Sequence, residues 1–457
     1  VPSDLNGPAT IPASAIKVGY VSSRISRVKM DGSIYTIKPR FVMNTSEVNL
    51  PKDTVRRFWT NIEVPKGTPK GIYKGSLALD FADGKTDFVK VEFEVVSNKE
   101  LPILDVPTGP WGLEIRVPWY AEDMADWNLA MDEKCLALMQ KYGCTSFSTG
   151  LNIGIKGTGE TLTLDFTTAD FKMALAKKYG MLAVVNYGSF ISGVNMYGYP
   201  TSQDPKKYGF DSLDSFYKHI LRLIDEHAKA DDWLPLMVTA CDEPVDGNIS
   251  KAAVNATILK KCVTERIRFL GATSMIGNDA DNPHQPLVRN MDIANYNKHD
   301  VESIGVANES GGWSFYNGGN RWTYGFYMYM LSKKYNMHSR LAWHWNANAG
   351  DPYYALDCRE DDYAWANANT KGELVTSLQF ERIREGIDDY RYLLALEELI
   401  KNNPNHSATP QAKALIENVM NIVPAKDRKA RGLLGANGKL EGLQSTRKKI
   451  ADLIKQY

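Results

Sequence analysis

From Val1 to about Lys99, apolar and polar residues alternate in short runs, as in Ile34-Tyr35-Thr36-Ile37, Phe58-Trp59-Thr60-Asn61-Ile62, Gly75-Ser76-Leu77-Ala78-Leu79 and Val89-Lys90-Val91-Glu92-Phe93-Glu94-Val95. A period of two sends successive side chains to opposite faces, so these runs predict strands with one buried face. Asp83-Gly84 marks a tight hairpin, and Pro65-Lys66-Gly67-Thr68-Pro69-Lys70-Gly71 cannot continue any strand. The pattern predicts a small all-β sandwich over residues 1–105.

The stretch from Leu101 to Pro110 carries prolines at 102, 107 and 110 and reads as a linker. After Trp111 the rhythm changes, and strand-like runs alternate with amphipathic helical ones. Strands are expected at Gly112–Val117, Thr145–Ser148, Met181–Tyr187, Leu236–Ala240, Ala272–Gly277, Asp292–Tyr296, Gly312–Tyr316 and Ser339–Trp345. Helices are expected at Trp127–Lys141, Ala169–Tyr179, Ser212–Lys229, Lys251–Phe269, Tyr324–Lys334 and Phe380–Ile400. That order predicts the α/β class, a (β/α)8 TIM-like barrel over residues 106–405. An open doubly wound sheet competes, but it should carry a phosphate loop or pyrophosphate turn, and no such motif occurs. Leu415, Ile416, Met420 and Val423 share one helical face, so residues 406–457 are expected to form a helical extension packed on the barrel.

Charge narrows the partners. Lys+Arg is 54 and Asp+Glu is 54, so no net field exists to hold a nucleic acid backbone. No apolar run approaches the roughly 18 residues of a membrane-spanning helix. The first residue is Val1, from which a removed signal peptide and export to the periplasm, cell surface or medium are expected. Cys135, Cys144, Cys241, Cys262 and Cys358 form no CxxC pair and read as free, buried thiols. The histidines show neither HExxH nor His-x-His, so no metal is expected, and no motif calls for a cofactor. Oligomeric state is not legible.

The sharpest chemical feature is Val238-Thr239-Ala240-Cys241-Asp242-Glu243-Pro244, a short apolar strand ending in two carboxylates and stopped by proline. On the fourth strand of a barrel this is the catalytic end. Two carboxylates close together in a partly dry pocket cannot both ionise easily, so one is driven toward the neutral acid that a leaving-group oxygen needs. Adjacent residues are badly placed for the inverting geometry, which needs room for a water between the two carboxyls. They also provide no obvious nucleophile across the ring. A 2-acetamido group on the sugar resolves this by attacking C1 itself, with one carboxylate orienting it and the other protonating the leaving oxygen.

These residues resemble glycoside hydrolase family 123, the β-N-acetylgalactosaminidases and their relatives. In the amino-terminal module Arg57-Phe58-Trp59-Thr60-Asn61-Ile62-Glu63-Val64-Pro65, followed by Pro69-Lys70-Gly71-Ile72-Tyr73-Lys74-Gly75, looks like the family's sandwich signature. Leu341-Ala342-Trp343-His344-Trp345-Asn346 with Asp351-Pro352 is similar to its last barrel strand and loop. The run Phe380-Glu381-Arg382-Ile383-Arg384-Glu385-Gly386-Ile387-Asp388-Asp389-Tyr390-Arg391-Tyr392-Leu393 looks like its REGxxDYxYL helix. The resemblance implies a retaining hydrolase of terminal β-linked 2-acetamido sugars, N-acetylgalactosamine foremost, with Asp242 orienting the acetamido group and Glu243 as general acid/base. One departure stands out: Asp361-Asp362-Tyr363-Ala364-Trp365-Ala366-Asn367 replaces the family's tyrosine-proline-glycine turn.

Aromatic rings and amides at the expected strand ends form a candidate sugar-binding set: Trp119, Asn186, Tyr187, Tyr296, Asn297, Trp313, Trp343, His344, Trp345 and Asn346. For each alone, core packing is the bland alternative. Two rival functions stay open. One is a hydrolase of a sugar without the acetamido group, whose separate nucleophile would be Glu114, Glu309 or Asp351; the other is a non-catalytic carbohydrate-binding surface protein. Gly154-Ile155-Lys156-Gly157-Thr158-Gly159 reads as a hairpin or lid and not as a phosphate cradle, since no helix follows it directly.

Overall fold

The computed structural model describes residues 1–27, 34–45, 47–111, 124–186, 204–241, 257–262, 264–273, 293–297, 312–315, 321–335, 337–346, 353, 364–369, 371–421 and 440–457. Structural statements below concern these residues.

The amino-terminal alternation forms β1 (Leu5–Asn6), β2 (Thr10–Ile11), β3 (Ile16–Arg27), β4 (Tyr35–Met43), β5 (Arg57–Ile62), β6 (Gly71–Asp80) and β7 (Thr86–Val95). They make two antiparallel sheets. One has the order β2-β1-β6-β7. The other has the order β18-β19-β4-β3-β5, in which β18 (Ala366–Ala368) and β19 (Leu374–Ser377) come from far along the chain. Leu5, Ile11, Ile16, Tyr73 and Val95 fill a small core of this module. Gly75 lets β6 approach β1, because a Cβ there would lie 2.5 Å from Leu5 Cδ2 and 2.7 Å from the Asp4 carbonyl oxygen.

The second half is a parallel sheet of eight strands in the order β8-β17-β16-β15-β14-β13-β12-β9. Its members are β8 (Thr108–Trp111), β9 (Ser146–Thr149), β12 (Ala183–Asn186), β13 (Leu236–Cys241), β14 (Ile267–Thr273), β15 (Ile293–Asn297), β16 (Gly312–Phe315) and β17 (Met337–Trp343). Between β9 and β12 the glycine-rich segment folds back as a hairpin, β10 (Gly154–Lys156) on β11 (Thr163–Asp165). The helices are α1 (Met124–Lys141), α2 (Thr167–Lys178), α3 (Leu213–Ala230), α4 (Arg321–Tyr324), α5 (Phe326–Tyr335), α6 (Leu378–Asn402), α7 (Thr409–Asn421) and α8 (Leu440–Ile454). Phe147, Val184, Leu236, Val238 and Ala342 join helix side chains in the main core. Their neighbours Ser146, Ser148, Val185, Thr239 and Leu341 are equally buried and, by strand alternation, face the other way.

The first strand of this sheet corrects the linker expectation. Strand β8 occupies Thr108–Trp111 and includes Pro110. The carbonyls of Pro107 and Trp111 accept from Arg340 and Trp345 amides on the β17 side, whereas Thr108 O accepts from Thr145 N at 2.8 Å on the β9 side. Alternation therefore turns the nitrogen of Pro110 toward β9, where it has no hydrogen to give. Gly109 completes the approach, since a Cβ there would fall 1.7 Å from Ser146 O. The two ends of the strand order thus touch, through an interrupted set of bonds.

Strand β14 also differs from expectation. It begins at Ile267, inside the stretch read as helix, because Ile267 continues the helical spacing of Leu259 and Val263 and also starts an alternation with Phe269.

Helix α6 ties the parts together. Buried Glu381 accepts from Tyr142 Oη at 2.7 Å, from Thr376 Oγ1 at 2.7 Å and from Asn61 Nδ2 of β5 at 3.2 Å. Arg384 Nη2 donates to Asn61 Oδ1 at 3.2 Å. Further along α6, buried Asp389 takes Arg321 of α4 in a two-pronged ion pair, at 2.7 and 3.0 Å, and also accepts from Arg447 of α8. Arg447 Nη1 donates to Glu385 at 2.7 Å as well.

Candidate active site

In parallel sheets of this kind ligands bind beyond the carboxyl ends of the strands. Cys241 is the last residue of β13, so Asp242 and Glu243 follow it directly in the chain and lie outside the described residues. What precedes them is described. Thr239 pairs with Leu270 and Cys241 with Gly271, leaving Ala240 as the extra residue of a β-bulge. Bulges re-aim the side chains that follow them and recur beside active sites.

The other expected residues distribute as follows. Asn186 ends β12, Asn297 ends β15 with Tyr296 just before it, and Trp343 ends β17, paired in register with Trp111 at the end of β8. The backbone therefore brings Asn186, Tyr296, Asn297 and Trp343 to the same edge of the sheet as the strand that runs into Asp242. Trp313 is the second residue of β16, lower in the sheet, in the register row of Asn295 and Ser339. Trp119, Tyr187 and the alternative nucleophiles Glu114, Glu309 and Asp351 lie outside the described residues.

Three side chains in the set are fully buried. Trp345 is a core residue: Nε1 donates to Cys135 Sγ at 3.2 Å, and the ring meets Phe380 edge-on at 5.4 Å, leaving no face for a sugar. Burial pushes the Cys135 thiol up to about 12, so this contact is structural and not nucleophilic. His344 is also wholly inside the protein. Asn186 is at 0% exposure; its Oδ1 accepts from Leu151 N at 2.9 Å, while its Nδ2 makes no hydrogen bond. Asn346 is half-buried with an unpaired Oδ1.

Sequence reasoning missed Lys172 and Asp132, which flank the same edge from the helices. Lys172 Nζ donates to Thr149 Oγ1 at 3.0 Å and to Gly150 O at 2.6 Å, at the end of β9. Burial lowers the Lys172 pKa against the pull of Asp132, and burial raises that of Asp132 against the pull of Lys172. A lysine at one helical position carries no periodic signal that would have singled it out.

Asp170, His227 and Asp231 are the only group among the described residues whose donor atoms could gather round a metal, all within 4.8 Å. His227 Nε2 already lies 2.8 Å from Asp170 Oδ1 and 3.1 Å from Asp231 Oδ2, Trp233 Nε1 donates to Asp170, and Phe166 stacks on the imidazole at 3.7 Å. Their partners are one another. A groove of about 940 Å³ between α5, α6 and α7 has an apolar floor of Leu394, Ile400, Ile416 and Met420. Its wall includes Asp105, which precedes β8, so it opens toward the amino ends of the strands and away from the candidate site.

Comparison with solved structures shows what fold this is. A family 123 glycoside hydrolase from Clostridium perfringens, described for glycolipid glycan hydrolysis, superposes with a TM-score of 0.71 over 99% of this chain and 88% of its own, at 13% identity. The chain has the fold of that enzyme. A family 39 glycoside hydrolase from Bacteroides cellulosilyticus is far more distant, at a TM-score of 0.40 and 12% identity over 82% of this chain and 77% of its own. No protein-family model and no curated protein matches the sequence. Among the described residues no helix is long and apolar enough to cross a membrane.

Proposed function

We propose that this chain is an exported glycoside hydrolase of family 123, and that its eight-stranded sheet closes through β8 and β9 into a (β/α)8 barrel. The substrate is a terminal β-linked 2-acetamido sugar, N-acetylgalactosamine foremost, cleaved with retention. Asp242 orients the acetamido nitrogen while its carbonyl oxygen attacks C1 and the C1–O bond breaks. Glu243 gives its proton to the leaving oxygen, and then takes one from the water that opens the cyclic intermediate.

The observation that carries this reading is a whole-chain fold shared with a family 123 hydrolase, combined with an Asp-Glu pair immediately after the bulged end of β13. Asn297 and Trp343, at the ends of β15 and β17, and Asn346, shortly beyond β17, remain the best placed of the expected sugar contacts. Trp345 is withdrawn from that set, and His344 and Asn186 act from behind the surface.

The test uses aryl β-glycosides of N-acetylgalactosamine, N-acetylglucosamine, galactose and glucose. Turnover confined to the acetamido sugars, with Glu243→Gln losing most of the rate on poor leaving groups and Asp242→Asn losing rate even on good ones, is the expected result. Turnover of plain hexosides alone moves the nucleophile elsewhere, and binding without turnover makes the chain a carbohydrate-binding protein.

A further inference from the structure

The end of β9 is held in place from outside the sheet. Thr149 and Gly150 receive two hydrogen bonds from Lys172 of α2, and the next residue, Leu151, donates its N–H to Asn186 Oδ1 at the end of the neighbouring strand β12. Asn186 in turn stands beside β13 in register, opposite Val238. These bonds form one chain from a helix to the strand that leads into Asp242 and Glu243.

The weak point of that chain is Asn186. Its carboxamide is fully buried, and only the Leu151 amide fixes which way it turns, because Nδ2 bonds to nothing. A buried amide with one partner keeps its rotamer only while that partner stays put. The position of Leu151 N depends on the two residues before it, which Lys172 grips. Burying an ammonium is costly, and the nearby Asp132 carboxylate offsets part of that cost. A surface-packing role would be met as well by an uncharged side chain.

We propose that Lys172 is a positioning residue of the glycoside site, acting through Thr149, Gly150 and Leu151 on Asn186 and so on the strand ends that frame the substrate. This rests on the hydrolase reading above. Displacing a framing strand end by about 1 Å costs turnover more than it costs affinity.

The experiment compares full-length wild type with Lys172→Met, Lys172→Arg, Asn186→Leu and the Met/Leu double variant, on whichever aryl glycoside the wild type hydrolyses. Lys172→Met should lower kcat by about 10-fold with KM changed less than about 3-fold, and Lys172→Arg should recover part of it. In the Asn186→Leu background the Lys172→Met change should cost nothing further, since both act along one path. Unchanged kcat, a loss confined to KM, or full additivity overturns the proposal. Should the methionine variant not fold, Lys172→Gln takes its place with the same expectations. A wild type without turnover on any glycoside rejects the hydrolase reading alone, because the clamp has its own readout. Hydrogen exchange at the Leu151 amide should quicken by about 10-fold in Lys172→Met, and an unchanged rate shows that the clamp does not exist.

Discussion

At the scale of single residues, the helix motif that most resembles family 123 turns out to be mechanical. Asp389 is buried beneath Arg321 and Arg447, and Glu381 beneath Tyr142, Thr376 and Asn61. Removing Asp389 takes both of its bonds from buried Arg321 and leaves Arg447 with Glu385, so Asp389→Ala should destabilise the protein by about 3–5 kcal/mol in urea unfolding at neutral pH. A loss below about 1 kcal/mol would mean that the guanidiniums find other partners. Glu385 titrates usefully: burial works to raise its pKa, but Arg447 and Arg384 overcome this and hold it below the usual range. A carboxylate depressed in the folded state contributes stability that is present above its unfolded pKa of about 4.3 and is lost as pH falls through the folded value. The urea midpoints of wild type and Glu385→Gln should therefore differ most near pH 7 and converge below about pH 4; a gap that widens on acidification would contradict the assignment. Residue identity alone did not separate such roles. Trp345 and Trp343 look alike in sequence, yet Trp345 closes on Cys135 of α1 inside the core while Trp343 is the last residue of β17.

Elements were legible where one periodicity dominated. The strands β9, β12, β13, β16 and β17 and the helices α2, α3 and α6 lie within a few residues of the positions their patterns predict. Four strands were not, each for a physical reason. Strand β8 hides behind Pro110, tolerable there because the missing hydrogen faces the interrupted β9 side. In β14 the first residue, Ile267, satisfies two periods. Strands β18 and β19 span three and four residues, too short for any pattern, and are ordered by pairing with each other and with β4. Helix packing supplies a further test. Helix α6 crosses α4 at Gly386, where a Cβ would lie 2.3 Å from the Arg321 carbonyl oxygen, and Gly325 on the other side would set one 3.0 Å from Gly386 O. Backbone cannot yield as a flexible side chain does, so Gly386→Ala should force the helices apart and destabilise by about 1–3 kcal/mol despite alanine's better helix propensity. A stabilised Gly386→Ala protein would show that this crossing is looser than the geometry requires.

At the scale of the whole molecule, the sequence pattern suggests two modules in series, and strand pairing and side-chain bonds run between them. The five-stranded antiparallel sheet borrows β18 and β19 from the segment between β17 and α6, and Asn44 Nδ2 reaches Leu374 O across that join. Asn61 of β5 sits between Glu381 and Arg384, Lys141 pairs with Glu63, Phe41 meets Tyr353, and Lys455 near the end of the chain pairs with Glu94 of β7. The tryptophan strand and the REGxxDYxYL helix, recognised separately in the sequence, are therefore two halves of one joint. Such a joint shares polar groups between its halves, and cutting the chain takes Asn61 from Glu381 and Arg384 and leaves β19 without the backbone of β4. Residues 106–457 expressed alone should accordingly fail to give a soluble, cooperatively unfolding protein. In the intact chain, heat should unfold strands and helices together, with far-ultraviolet and tryptophan signals sharing one midpoint. A folded fragment with a sharp transition of its own would instead mean that β18 and β19 are an ornament of the amino-terminal sheet, and that the parallel sheet holds its strand ends, and with them the site around β13, without help.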